Sequence, residues 1–568
     1  MDIPLSIWTW ALAFLPLAIL LFVMIARRWG AAEAGPMSWI IAAAIAMLMF
    51  ETQLADIGLH SVKGAWDALT VLYVVWPAIL IYEVTREANA FDPLRRGITR
   101  LLPHPLLQVM AFGWIFASFL QGITGFGVPI AVCAPLLVGI GVRPLYAVVI
   151  PLVGHAWNNT FGTLAVAWLG LKQVTDMPAA MAATTALYAS AFIWILNILG
   201  GLLVCWIYGR LRGVREGLPA VAAISLVHGG LTLVLSQWSD VLNGLIAGVA
   251  GLIVIFALGR LPRYRRKPSV VASRIFEPDS APDIDSGSPA TAPSEPGLAS
   301  APTPAESGSA TGQLQGERTQ EPSQQATATM SLNKAFIPYY ALLVLTFGVL
   351  LIPPVESALG SYSISLSFPE TTTGLGFTMA ADDMEIALLT HAGTFLFAAA
   401  FISYMIYSRM GHVGKGGWRR MWSNTVDKAI PSTIAIIGLV AMATVMQGSG
   451  QVHVLAEGVA MTTGGFYAFL APFIGVLGSF MTSSNLASNL LFGGFQETTA
   501  ISTGLDQTAV LGAHTAGGAT GNIISPGNVL LGTTTAGILG REGEVLRITL
   551  PLTLFIAVFV GAVVLLVA

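Results

Sequence analysis

Runs of apolar residues about 20 long recur along the whole chain. A run of that length crosses a hydrocarbon core of about 30 Å as a helix, which satisfies its own backbone hydrogen bonds. The pattern predicts helices near residues 7–27, 37–54, 66–85, 180–208, 217–237, 241–259, 335–353, 386–408, 426–447 and 548–567. Together with the less regular apolar stretches between them, the expectation is an all-α, polytopic membrane protein of about 12 transmembrane helices. The first run, Ile7 to Ile25, is too long for a signal-peptide core and lacks a basic leader and a small-residue cleavage site, so it reads as a retained helix.

Two stretches break the pattern. The apolar segment from Leu106 to Leu169 is interrupted by Gln121-Gly-Ile-Thr-Gly-Phe-Gly-Val-Pro129 and again by His155-Ala-Trp-Asn-Asn-Thr-Phe-Gly162. Glycine and proline at that density break a helix. Non-helical backbone at membrane depth survives where protein buries it or where it lines a wet cavity, so the breaks mark a site. The second half repeats the arrangement, with Ser479-Phe-Met-Thr-Ser-Ser-Asn-Leu-Ala-Ser-Asn489 followed by His514-Thr-Ala-Gly-Gly-Ala-Thr-Gly-Asn522. We therefore expect two re-entrant hairpins, near 106–142 and 466–500, each followed by a broken helix.

Basic residues give the orientation. Arg27 and Arg28, then Arg86, Arg95, Arg96 and Arg100, then Arg210, Arg212 and Arg215, then Arg260 to Lys267, then Lys415, Arg419 and Arg420 all fall on one side in an alternating count. The positive-inside rule places that side in the cytoplasm and both termini outside. The hairpins then enter from opposite faces, the inverted repeat of secondary transporters. Between the halves, 1–267 and 332–568, the stretch 268–331 is rich in Ser, Pro, Ala, Thr, Gly and Gln, and is expected to be a disordered cytoplasmic linker.

Composition narrows the function classes. The chain is 55% hydrophobic and 10% charged, far from the roughly 25% charged of a soluble domain. A formal net charge of −3 excludes bulk attraction to nucleic acid. Cys133 and Cys205 have no CxxC spacing, so neither a disulfide framework nor a metal site is indicated, and no cofactor is expected. Gly122-Ile-Thr-Gly-Phe-Gly127 follows an apolar helix and lacks the Lys-Ser/Thr of a phosphate loop. A membrane enzyme or a channel ranks below a carrier. The acidic group Asp382, Asp383 and Glu385, with Glu370, is expected on a solvated extracytoplasmic loop, or else in a cation-collecting vestibule.

In an inverted repeat the hairpin tips and broken helices meet near the midplane, where free helix N-termini offer N–H groups and positive dipole ends to an anion. A small carboxylate suits that. The side chains of Gln121, Thr124, Asn158, Asn159, Thr482, Ser483, Ser484, Asn485, Ser488 and Asn489 supply amides and hydroxyls at the same depth, joined at the breaks by Gly122, Gly125, Gly127, Thr515, Gly517, Gly518 and Asn522.

At the hairpins the sequence resembles the L-lactate permease family of bacterial proton-coupled monocarboxylate carriers. The stretches that carry the resemblance are Phe116–Gly122 with Gly125–Ala131, Leu136–Ala147, Leu477–Phe492 and Thr515–Pro526. The resemblance implies uptake of lactate or glycolate with protons across a bacterial inner membrane. It also implies departures: Gln121 stands where family members carry Glu, Asn485 where they carry Asp, Asn522 where they carry Lys, and His155 and His514 near positions of Asn. On that comparison the coupling proton is expected on His155 and His514, since an ionisable group at membrane depth is a functional candidate. The alternative is sodium coupling through the oxygens of Ser483, Ser484 and Asn485, for another small anion or a neutral solute. Arg143 occupies a basic position at the cytoplasmic end of the first hairpin, as an anchor or as a charge that attracts substrate.

Overall fold

The computed structural model describes residues 6–27, 29–125, 127–175, 177–265, 275–276 and 330–568. The N-terminal half runs α1 (Ile7–Ala26), α2 (Ala31–Met49), α3 (Leu54–Glu87), α4 (Phe91–Leu101), α5 (Pro105–Ile123), α6 (Val128–Val138), α7 (Pro144–Ala156), α8 (Gly162–Val174), α9 (Ala179–Leu235) and α10 (Asp240–Gly259). The C-terminal half runs α11 (Ile337–Leu350), α12 (Pro353–Gly360), strands β1 (Ser363–Phe368), β2 (Thr371–Thr372), β3 (Thr378–Met379) and β4 (Asp382–Ala387), then α13 (Ala392–Arg409), α14 (Gly417–Gly448), α15 (Gln451–Thr463), α16 (Tyr467–Thr482), α17 (Asn485–Thr503), α18 (Gln507–Gly521), α19 (Pro526–Thr535) and α20 (Glu542–Val567). It is an all-α multi-pass membrane protein.

Among the described residues eight helices are long and apolar enough to cross a membrane, or nine if α11 and α12, bent by 87°, count as one span. That is fewer than the twelve expected. The arm α6 and the halves of the broken helices are each too short to cross alone, α15 and α16 count as one span, and α9 counts once although its 57 residues would reach about 85 Å if straight, well beyond one bilayer.

Two expected boundaries differ. The helices expected near 180–208 and 217–237 are two arms that fold back on each other at Gly209 and Arg210, where the backbone leaves the helical region, with the Ser225 hydroxyl donating to Asn197 Oδ1 across the pair at 2.5 Å; the second arm starts before 217, because Leu211 to Glu216 has no proline and stays helical. The helix expected from 386 starts at Ala392. Residues 382–387 alternate polar and apolar positions and pair antiparallel with β1, from Ser363 opposite Ala387 to Phe368 opposite Asp382. The acidic group therefore lies on an ordered β-hairpin. Most of the 268–331 linker lies outside the described residues, but Ile275 and Phe276 are buried. The Arg143 N–H donates to the Ile275 carbonyl at 2.6 Å and Phe276 bridges Val142, so two linker residues are fastened to the base of the first hairpin.

A scaffold of α2, α3, α13 and α14 stands beside the hairpins. The two longest members, α3 and α14, approach closely where a Cβ on Gly64 would fall 2.7 Å from the Ala441 Cα, small residues being what lets membrane helices meet. At one end they are tied by charge: the buried Glu83 takes Lys428 at 2.5 Å and Arg86 at 2.6 Å, and Glu87 pairs with Arg420. A buried carboxylate with two cationic partners is a satisfied one.

Candidate functional site

Each break follows from local sequence. In the first hairpin Gly125 and Gly127 hold positive φ of 55° and 79°. The Val128 N–H bonds the Gly125 carbonyl at 2.9 Å, closing the turn as α6 begins at Val128 with Pro129 in its first turn. In the second, Ser483 ends α16 in the left-handed region at φ 58°, and Ser484 caps α17 by accepting from the Ala487 N–H at 3.2 Å. The first broken helix carries three consecutive left-handed residues, Thr163, Leu164 and Ala165, with φ between 51° and 65°. None is glycine, so each costs about 1–2 kcal/mol, strain of the kind that collects at functional sites. Right-handed helix resumes at Val166. The second broken helix stops at Asn522 and restarts at Pro526, where Asn528 Nδ2 donates to the Asn522 carbonyl at 3.3 Å.

The four breaks enclose a cavity of about 50 Å³ lined by Gln121, Gly127, His155, Asn159, Thr163, Val166, Ala167, Ser483, Ser484, Asn485, Leu486, Asn522 and Asn528. Each hairpin meets the broken helix of the other half. Asn489 Nδ2 donates to the Ala167 carbonyl at 2.8 Å and to Thr515 Oγ1 at 3.0 Å, and Asn485 Nδ2 to Thr160 Oγ1 at 3.3 Å. A Cβ on Gly127 would sit 2.5 Å from Leu531 Cδ2, which places the first tip against α19. With its amide turned to satisfy its neighbours, Asn522 accepts from the Asn485 N–H at 3.1 Å and donates to the Ser483 carbonyl at 3.1 Å.

The sequence-expected residues divide into two sets. Gln121, Gly127, His155, Asn159, Ser483, Ser484, Asn485 and Asn522 reach the cavity wall. The others build the frame. Asn158 donates to the Ser118 and Gly244 carbonyls, Thr124 to Leu120, Thr482 to Gly478 and Ser488 to Gly475. Thr515 joins Thr160 and Asn489. Gly122, Gly517 and Gly518 lie against Gly244, Pro472 and Asn485, where a Cβ has no room, and Gly125 lies against Thr163.

The two histidines also part company. His155 Nδ1 donates to the Pro151 carbonyl at 2.7 Å, so a neutral ring presents Nε2 as an acceptor, and the residue lines the cavity. His514 is not part of the wall. Its Nδ1 accepts from Gln496 Nε2 at 3.1 Å, and Gln496 is itself fixed by the Tyr467 hydroxyl at 2.6 Å and by the Ala471 carbonyl. Sequence reading missed Thr160, Thr163, Val166, Ala167, Leu486 and Asn528. Asn528, just after the Ser525-Pro526 restart, carries the one signal that was available; Thr163, Val166 and Ala167 reach the cavity at the left-handed turn and Leu486 at the start of α17, while Thr160 stands behind the wall, bonded to Asn485 and Thr515.

No charged side chain lines the cavity among the described residues. Positive potential comes instead from helix starts: Gly127 before α6, Ser484 and Asn485 at α17, and Val166 and Ala167 where α8 turns right-handed. Asn159 Nδ2 and Asn485 Oδ1 are buried without a partner, one donor and one acceptor, both on residues of the wall.

A second, larger cavity of about 630 Å³ lies at the far end of α8, lined among others by Lys63, Trp66, Thr70, Lys172, Thr175, Gln447 and the β4 segment. Its lysines are paired, Lys63 with Asp382 at 2.8 Å and Lys172 with Asp240 at 2.7 Å.

A family model described as L-lactate permease matches residues 10–274 and 306–568. The chain is 26% identical to the L-lactate permease of Bacillus subtilis (strain 168), over 96% of this chain and 94% of that one. It is 28% identical to the glycolate permease GlcA of Escherichia coli (strain K12), over 98% and 94%. With the L-lactate permease of the same strain it shares 27% identity, over 98% and 96%.

Proposed function

The chain belongs to the L-lactate permease family, a transporter and not an enzyme, and we propose that it carries lactate or glycolate through a bacterial inner membrane in symport with a proton. The observation that carries this reading is the neutral cavity ringed by helix starts. A single carboxylate is received there by backbone N–H groups and by the unpartnered Asn159 amide, while the Asn485 oxygen is left for a substrate hydroxyl. Size agrees: at about 10–15 Å³ for each water-sized group the cavity takes roughly three to five of them, the scale of glycolate or lactate rather than of a dicarboxylate.

In this reading both termini lie outside, the 268–331 linker lies in the cytoplasm, and the halves 1–267 and 332–568 form the inverted repeat. His155, with Nε2 turned from its own helix, holds a proton beside the bound carboxylate. His514 orders the second hairpin through Gln496 and Tyr467.

Uptake into proteoliposomes tests the reading. Lactate and glycolate are expected to saturate, to show counterflow, and to accumulate under an imposed inward proton gradient but not under a sodium gradient alone. Accumulation driven by sodium alone transfers the coupling to the oxygens of Ser483, Ser484 and Asn485. Absence of counterflow with either acid overturns the proposal.

A further inference from the structure

One buried carboxylate has no part in the cavity. Asp67 on α3 is 2% exposed, and its Oδ1 has no hydrogen-bond partner among the described residues. A carboxylate in a membrane helix is expensive, and it persists where it is paired or where it titrates. Pairing is incomplete here, because Lys63, one turn away, is committed to Asp382 on β4 at 2.8 Å. Lys63 attracts the Asp67 carboxylate and Asp382 repels it. On α3 itself His60 bonds Thr371. The facing stretch of α14 offers Ala441 and Thr444, which are uncharged. On α8 Lys172 is held by Asp240, and at the start of α13 His391 stacks on Tyr73 at 5.0 Å. Asp383, Glu385, His453 and Glu497 also line the larger cavity.

We propose that Asp67 is a proton-binding site of the transport cycle, loaded from the larger cavity and separate from the cavity that takes the carboxylate. The proposal rests on the transport reading above. Lys63, Trp66 and Thr70, at helical spacings of four, one and three from Asp67, all line the larger cavity, so the carboxylate lies on the side of α3 that borders that cavity, one side chain behind its wall. Helix α3 packs on α8, and α8 reaches both spaces, with Val166 and Ala167 at the substrate cavity and Lys172 to Thr175 at the larger one. With Asp67 charged, Lys63 is shared between two carboxylates. With Asp67 protonated, Lys63 belongs to Asp382 alone and the β-hairpin is held more firmly on α3. Loading therefore alters the tie between the β-hairpin and the helix that supports α8.

The test uses the full chain in proteoliposomes with lactate. Asp67→Asn is expected to keep lactate counterflow without a gradient, and to lose the accumulation driven by an inward pH gradient, up to about tenfold for each pH unit in one-to-one symport. Asp67→Glu is expected to restore that accumulation with a displaced pH profile, a result that a merely structural role does not give. Gradient-driven accumulation by Asp67→Asn at the wild-type level overturns the proposal. If Asp67→Asn fails to insert, a hydrophobic carbodiimide, which needs a protonated carboxyl, decides on the unmodified protein. Adducts at Asp67 that diminish from about pH 5 to pH 8 support the proposal, and an unlabelled Asp67 across that range overturns it. Failure of the wild type to show lactate counterflow sinks the transport reading alone, and the labelling still reports whether Asp67 titrates.

Discussion

The sharpest test of the cavity is Gly125→Ala, because the structure separates its cost into two parts. A Cβ on Gly125 would stand 2.1 Å from Thr163 Oγ1, with the next atoms, Gln121 Nε2 and Thr163 Cβ, at 3.4 Å. The clash thus falls on one hydroxyl, and overpacking of this kind costs about 1–3 kcal/mol. Gly125 also sits at φ 55°, where a side chain costs about 1–2 kcal/mol. Together these come to about 2–5 kcal/mol, a loss in initial uptake rate of at least about 30-fold. Thr163→Ala removes the hydroxyl at the expense of one long bond of 3.4 Å to the Gln121 carbonyl. The double variant Gly125→Ala/Thr163→Ala is left with the backbone term and is expected to regain about tenfold over Gly125→Ala alone. Gly127→Ala is the comparison: its clash is with the flexible end of Leu531, so its loss is expected to stay near the backbone term. Initial rates of lactate uptake give the cycle, and detergent-solubilised melting curves confirm that each variant is folded. A Gly125→Ala protein that transports within twofold of wild type, or a double variant no better than the single one, refutes the idea that the first tip is built to touch Thr163.

Three further outcomes are expected. Asn489→Leu removes the donors to the Ala167 carbonyl and Thr515; at about 1–3 kcal/mol for each buried group left unpaired, uptake is expected to fall about 30-fold or more with normal membrane insertion, measured by proteoliposome uptake beside a membrane-fraction blot. His155→Gln is expected to keep lactate exchange while losing its response to a proton gradient, whereas His514→Gln, away from the cavity, is expected to lower the melting temperature and keep the response; equal behaviour of the two in a pH-jump uptake assay contradicts the division drawn between them. Replacing residues 278–329 by about 20 flexible residues is expected to leave uptake largely intact, while Phe276→Ser, which disturbs the strand-like contact with Val142, is expected to reduce it; uptake assays on both variants check that the anchoring residues, and not the length of linker, are what matters.

Much of the organisation was legible without coordinates, since it is written in one-dimensional chemistry. An apolar run long enough to span a bilayer is a helix for lack of any other way to satisfy its backbone, so the class of protein followed from patterning. The breaks at Gly125 to Pro129 and Ser483 to Asn485 were equally plain, because glycine, proline and short hydroxyl side chains are what a turn at membrane depth requires. The same local reasoning found the reversal at Gly209 and Arg210 but started the following helix too late, since Leu211 to Glu216 is already helical, and it failed at 382–387, where alternation made a strand.

Which of the polar residues at those breaks faces the cavity was decided only by the tertiary structure. Asn158 and Asn159 are neighbours of one type, yet one is spent on the Ser118 and Gly244 carbonyls and the other has a free donor at the wall. His155 and His514 occupy answering positions in the two halves, yet Gln496 and Tyr467 hold one ring away from the cavity. Thr163 gave no signal at all, because its place depends on three left-handed residues that only the packing of Gln121 and Gly125 against α8 holds in place. Sequence determines where a chain must leave the helix; the direction a side chain then takes depends on partners that lie hundreds of residues away, and it is fixed by which buried groups are satisfied once the two halves have closed on each other.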